Sequence, residues 1–150
     1  MSNQHPTIED PELGILTRAE STLDDGSTVA HDWFAGTVTT GDNQVEVVID
    51  GTDATEVEQL IPRTRALVAD LDRTRRVASD AIITRFSDSE PTAHELDEGF
   101  DDLVLDTIEI TRDVTVLHFT DSCGAHFPEG FWPAVHLDAT GTVTEVTVES

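Results

Sequence analysis

Apolar residues recur at mostly three- and four-residue steps through residues 54–86, with Val57, Leu60, Ile61, Leu67, Val68, Leu71, Val77, Ile82 and Phe86 marking the period. No other long stretch of the chain has helical periodicity. Gly51-Thr52-Asp53 stops what precedes it, and Asp53 or Thr55 can cap a helix with Glu56 and Glu58 near its positive end. Pro62 opposes one unbroken helix, because it lacks an N–H and crowds the preceding turn. A further break near 70–73 predicts two consecutive helices, with Asp72 and Arg76 four apart in the favourable order.

On either side the period drops to two. In 44–50, Val45, Val47 and Ile49 share one face while Glu46 and Asp50 take the other, the pattern of a half-buried antiparallel strand. Residues 29–40 precede it across Thr40-Gly41-Asp42-Asn43 and predict a hairpin. Trp33 and Phe34 are adjacent there and must point to opposite faces, so one of them covers something other than the main core. A short first strand is expected over 13–18. Thr92-Ala93-His94-Glu95 behind Pro91 has the capping-box pattern and predicts a short third helix to about Gly99. Ile108 and Ile110 then face in, Thr107, Glu109 and Thr111 face out, and strands over 114–121, 131–138 and 142–149 close the chain.

The fold class expected is α+β: a mainly antiparallel sheet of about six to seven strands, with two consecutive helices and one short helix packed on one face. Residues 1–12, polar and carrying Pro6 and Pro11, read as a flexible N-terminal tail, and 13–150 as a single domain.

Charge changes the picture. The chain has 31 acids against eight basic residues, all arginine, for a formal charge of −23. Affinity for nucleic acid comes from neutralising phosphates, so no nucleic-acid partner is expected, and no anionic membrane surface. Two readings of the acid compete: a hydrated coat suited to a salty cytoplasm, and a face for a basic partner. Residues 54–86 hold six arginines and five acids, a net of +1, which leaves −24 for the remainder. The single cysteine, Cys123, excludes an internal disulfide. The start is polar with no apolar leader, and no run is long enough to span a membrane, so a cytoplasmic location is expected.

The run Asp32-Trp33-Phe34-Ala35-Gly36-Thr37-Val38, then Val45-Glu46-Val47-Val48-Ile49-Asp50-Gly51, resembles the opening of a bacterial family catalogued as domain of unknown function 2262. The resemblance continues through Thr64-Arg65-Ala66-Leu67-Val68-Ala69-Asp70, Glu90-Pro91-Thr92, Glu95-Leu96 and 105–110, and covers most of the chain. The family closes on Trp-Gly-His and a strand; here Trp132-Pro133-Ala134-Val135-His136 displaces the histidine and lacks the glycine. The segment 122–130 does not match. The resemblance implies an α+β domain and no assigned activity, so it carries over no catalytic residue.

Reactive side chains are densest at His118, Asp121, Cys123 and His126, with Trp132 and His136 beyond. If Leu117 and Phe119 face the same core as Phe131, Val135 and Leu137, the pleat puts His118, Trp132 and His136 together on the other face as a ligand-binding set. Cys123 and His126 on the connecting loop would join His118 and His136 as metal ligands, and thiolate with imidazole suits zinc or another transition metal. The competing reading is surface histidines beside a small thiol, and no cofactor is required by it. The helix arginines read as ion-paired with Asp70, Asp72 and Asp80 rather than as an anion site. The acidic run 95–102 lacks EF-hand ligand spacing and reads as a hydrated loop. The chain has no Walker loop, dinucleotide fingerprint, nucleophile elbow or zincin motif. The function expected is that of a non-enzymatic, cytoplasmic, acidic interaction domain, inhibitor or immunity-type, with a basic protein partner. The alternative is a metal- or small-ligand-binding domain with its site on the 118–136 hairpin.

Overall fold

The computed structural model describes residues 7–40, 43–124 and 126–150. The first six residues of the expected tail, Gly41 and Asp42 of the expected hairpin turn, and Ala125 lie outside the described residues. The strands are β1 (Ile8–Asp10), β2 (Gly14–Thr22), β3 (Thr28–Thr40), β4 (Asn43–Asp50), β5 (Leu103–Ile110), β6 (Thr115–Asp121), β7 (Trp132–Leu137) and β8 (Val143–Glu149). Between β4 and β5 run α1 (Ala54–Ala69), α2 (Leu71–Arg85) and α3 (Ala93–Asp102). The eight strands form a sheet in chain order, antiparallel except for the β4–β5 pair. A parallel pair needs a crossover, and the three helices supply it.

The count of strands exceeds the expected six to seven because β1 lies in the stretch read as tail. Ile8 is buried, and Asp10 is buried with it. The Asp10 carboxylate accepts from the N–H groups of Leu13 (2.8 Å) and Glu12 (2.9 Å), folding the turn into β2, and from Arg65 Nε on α1 (2.8 Å). Composition alone makes such a segment look like a tail, because one buried apolar residue, Ile8, and one ion pair tie it down. The Arg65 bond, opposed by burial and aided by the two backbone bonds, holds the Asp10 carboxyl below its usual range. A lowered folded-state pKa stabilises the fold above the unfolded value, about 3.9, and this contribution is lost as pH falls through the folded value. Asp10→Asn is therefore expected to cost about 1 kcal/mol at neutral pH, less than the usual bond to a charged group because Arg65 stays partly in water. Melting temperatures across pH check this: the gap to the parent narrows below pH of about 4. A gap independent of pH contradicts it.

The helices break at Asp70, within the expected window. Asp53 caps α1, its side chain accepting from Glu56 N–H (2.9 Å). Pro62 sits inside α1 rather than ending it. Pro62 and Glu58, whose carbonyl it leaves unbonded, are both exposed, so water can take that carbonyl while Val57 and Ile61 stay buried. Asp72 pairs with Arg75 rather than Arg76, which bonds Asp80 (2.9 Å) and Asp97 (2.8 Å).

Thr92 and Glu95 form the expected capping box. The helix they start does not stop at Gly99 but runs to Asp102, so the acidic run read as a loop is helical. Gly99 is a contact point instead. A Cβ there would lie 2.3 Å from Ile83 Cγ1, so only glycine lets α3 lie this close to α2. Apolar residues of the helices and of the inward strand positions form one core cluster, with Phe34, Ile49, Ile108, Leu117 and Phe119 among its most buried members. Phe131 departs from expectation: it precedes β7 and is 47% exposed.

Candidate functional site

The pleat that turns Phe34, Val47, Ile108, Leu117 and Val135 into the core turns their neighbours to the opposite face. Register assigns that face row by row. Thr37, Glu46, Thr107, His118, Ala134 and Thr147 form one row, and Ala35, Val48, Glu109, Val116, His136 and Glu145 the next. Trp33 stands opposite Asp50, at the Thr111 end of β5, and Trp132 opposite Glu149, towards the Asp106 end. Both tryptophans of the chain are thus on this face, at opposite ends of a diagonal. The acids Glu46, Asp50, Glu109, Glu145 and Glu149 stand among them, and no arginine occupies an outward position in these rows. Arg18 pairs with Phe34 and so belongs to the inward set.

Trp33 is 37% exposed and stacks on His31, ring centroids 4.5 Å apart. Beside it, Val48, Glu46, Asp50 and Glu109 line a shallow cavity of about 320 Å³. Trp132 borders another, of about 490 Å³, with His118, Thr107, Thr120 and Phe131. The middle of the face is small and apolar: Val48, Val116 and Ala134, the last fully buried between Trp132 and His136 along its strand and His118 and Thr147 across it.

The histidines of this face are fixed by their neighbours. Trp132 Nε1–H donates to His118 Nδ1 (3.2 Å). An indole N–H can only donate, so His118 Nδ1 is the bare nitrogen and Nε2 carries the proton it donates to Glu109 (3.0 Å). Thr147 donates its hydroxyl to Glu149 (2.9 Å), which leaves its oxygen to accept from His136 Nε2 (3.0 Å). His118, Trp132 and His136 therefore share the face on which the pleat is expected to put them, with Trp132 bonded to His118, His118 to Glu109, and His136 Nε2 to Thr147.

Cys123 and His126 do not join them. Pairing of Leu103 with Asp121 brings the loop after β6 back to the end of α3. Ser122 bonds the Asp102 carbonyl through its N–H (2.9 Å) and its hydroxyl (2.7 Å). His126 Nε2 lies 3.0 Å from Asp102 Oδ2. Phe127, next along, meets Phe86 edge to face at the end of α2, on the helix side. The four-residue metal set His118, Cys123, His126 and His136 is thus divided between two places. Among the described residues, the group of three metal-competent donors that all come within 4.8 Å of one another is that of Asp102, Cys123 and His126.

Asp121 orders this loop. Its carboxylate accepts from the N–H groups of Cys123 (3.3 Å), His126 (2.7 Å) and Phe127 (3.0 Å), and from the Cys123 thiol (3.3 Å). Burial alone would raise its pKa; the bonds from Phe127, His126 and Cys123 more than offset this and hold it below the usual range. Asp102 is not among the sequence-expected ligands because Leu103, the residue after it, does not by itself read as the start of β5, which pairs there with Asp121. The signal was available in the alternation Leu103, Leu105, which extends the strand back to the helix end.

Comparison with family models, with curated proteins and with solved structures gave no match to this chain. The resemblance to domain of unknown function 2262 therefore rests on its motifs, and the reading of function rests on the uncovered sheet face and the loop cluster.

Proposed function

We propose that the chain is a non-enzymatic acidic interaction domain, of inhibitor or immunity type, acting in the cytoplasm and docking a basic protein on the uncovered face of its sheet. The observation that carries this reading is the placement of both tryptophans on a face that bears acids and no arginine. Large aromatic side chains supply binding energy when a partner desolvates them, and the surrounding acids select and steer a basic surface. Salt adaptation accounts for the overall acidity but not for partly exposed tryptophans at two ends of one face. A small ligand beside Trp132 is the weaker reading, because His118 already spends both ring nitrogens on Trp132 and Glu109.

The test is capture from the source lysate on the immobilised chain, at low and at high salt, with the retained proteins identified by mass spectrometry. The expected result is one basic protein held near stoichiometry at both salt levels, since apolar anchors survive screening. A crowd of basic proteins that vanishes at high salt overturns the reading and leaves the charge as a solvation coat.

A further inference from the structure

We infer that Asp102, Cys123 and His126 form a transition-metal site at the junction of α3 with the loop after β6. The three offer one carboxylate oxygen, one sulfur and one imidazole nitrogen, all within 4.8 Å of one another. A tetrahedral zinc ion with bonds of about 2.0–2.3 Å places its donors roughly 3.3–3.8 Å apart, so small side-chain rotations close the set. The His126–Asp102 contact of 3.0 Å is already at that scale. The donor chemistry suits a borderline dication: thiolate and imidazole favour zinc or cobalt over calcium or magnesium.

Two features make this a built arrangement rather than a chance meeting of surface groups. The ligands come from two places in the chain, and Ser122 clamps them together through two bonds to the Asp102 carbonyl. Asp121 sets the backbone at both Cys123 and His126 and accepts from the Cys123 thiol (3.3 Å), so the proton that the sulfur must release on binding an ion already points at a carboxylate that can pass it to solvent. Three protein ligands leave a fourth position for water or for a donor from another molecule, the arrangement of an open rather than a closed zinc site. The site is independent of the docking face, which lies on the other side of the sheet.

The experiment titrates the full chain with cobalt(II) and, in parallel, with zinc(II). Cobalt is expected to give a near-ultraviolet thiolate charge-transfer band and visible bands of tetrahedral intensity, saturating at one equivalent. Zinc is expected to displace it and to raise the melting temperature as its concentration increases. Cys123→Ser should abolish the charge-transfer band, and His126→Ala and Asp102→Asn should each weaken binding more than tenfold. His118→Ala, on the other face, should leave the titration unchanged. Absence of a charge-transfer band at saturating cobalt overturns the proposal. So does a band that persists with full affinity in both His126→Ala and Asp102→Asn, because the ion would then be held by the thiol alone. All variants change exposed or half-buried side chains, and circular dichroism of each confirms the folded state before titration.

Discussion

Replacing Trp33 with alanine is expected to weaken capture of the proposed basic partner by about 30-fold or more while leaving the fold intact, and Trp132→Ala to do the same on the other end of the face. Interface anchors of this type are worth about 2–4 kcal/mol each, and 1.4 kcal/mol is tenfold in affinity. Trp33 is the cleaner test. Its ring packs on His31 at the surface, so removing it takes little from the core. Trp132 also donates to His118, and its loss frees that histidine from its fixed tautomer, so some stability goes with the affinity. Neutralising Glu46, Asp50 and Glu109 together should act differently: it slows association and flattens the salt dependence, with a smaller effect on dissociation. Neutralising exposed acids on the helices, Glu58 and Asp72 for example, should do neither beyond a general charge effect. Surface plasmon resonance on the captured partner separates these outcomes. Loss of binding in the helix-side variants with full binding by Trp33→Ala would place the interface elsewhere.

Phe119→Ala is expected to destabilise the fold by about 3–5 kcal/mol, the usual cost of emptying a fully buried aromatic site. Phe119 is 1% exposed, inside the cluster that joins β6 to β5 and the helices. At roughly 2–4 °C per kcal/mol for a chain of this size, the melting temperature should fall by about 6–20 °C. Phe131→Ala, the same chemical change twelve residues on, should cost less than about 1 kcal/mol, because that ring stands half in water. Thermal or chemical denaturation of the two variants side by side checks this. Equal losses would mean that Phe131 belongs to the core after all.

That pair also shows what the sequence could and could not disclose. Period-two alternation located β3, β4, β6 and β8 to within a residue or two, because each has one face in the core and one outside it. The same alternation put His118, Trp132 and His136 on one side. Phe131 misled because it directly precedes β7, and a hydrophobic residue at a strand's edge looks like a member of the pattern. Ile8–Asp10 was invisible because a three-residue strand has too little period to detect, and its anchor, Arg65, is 55 residues away. Gly99 read as a stop signal; only the approach of Ile83 explains it as a packing contact. The loop cluster was half legible. Cys123 and His126 stood out by residue type, but Asp102 could be found only from the register that returns the loop to the end of α3.

The division of charge has a structural counterpart. Six arginines fall on α1 and α2; five of them are tied to Asp10, Asp70, Asp72, Asp80 and Asp97 and to the carbonyls of Thr111 and Arg112, and Arg85 lies over the Phe86 ring. Basic groups are thus spent inside the helical layer, and the outward sheet face keeps its acids unbalanced. A partner arriving there meets carboxylates that have few internal cations to leave.

The most direct measurement uses the fluorescence of the chain itself. It has two tryptophans and no tyrosine, and both tryptophans lie on the proposed docking face. Titrating the chain, in high salt, with the basic protein it retains should shift the tryptophan emission and saturate at one equivalent, with the shift reduced in Trp33→Ala and in Trp132→Ala. Binding seen by calorimetry with the tryptophan emission unchanged would contradict the account, since a partner could then bind without touching this face.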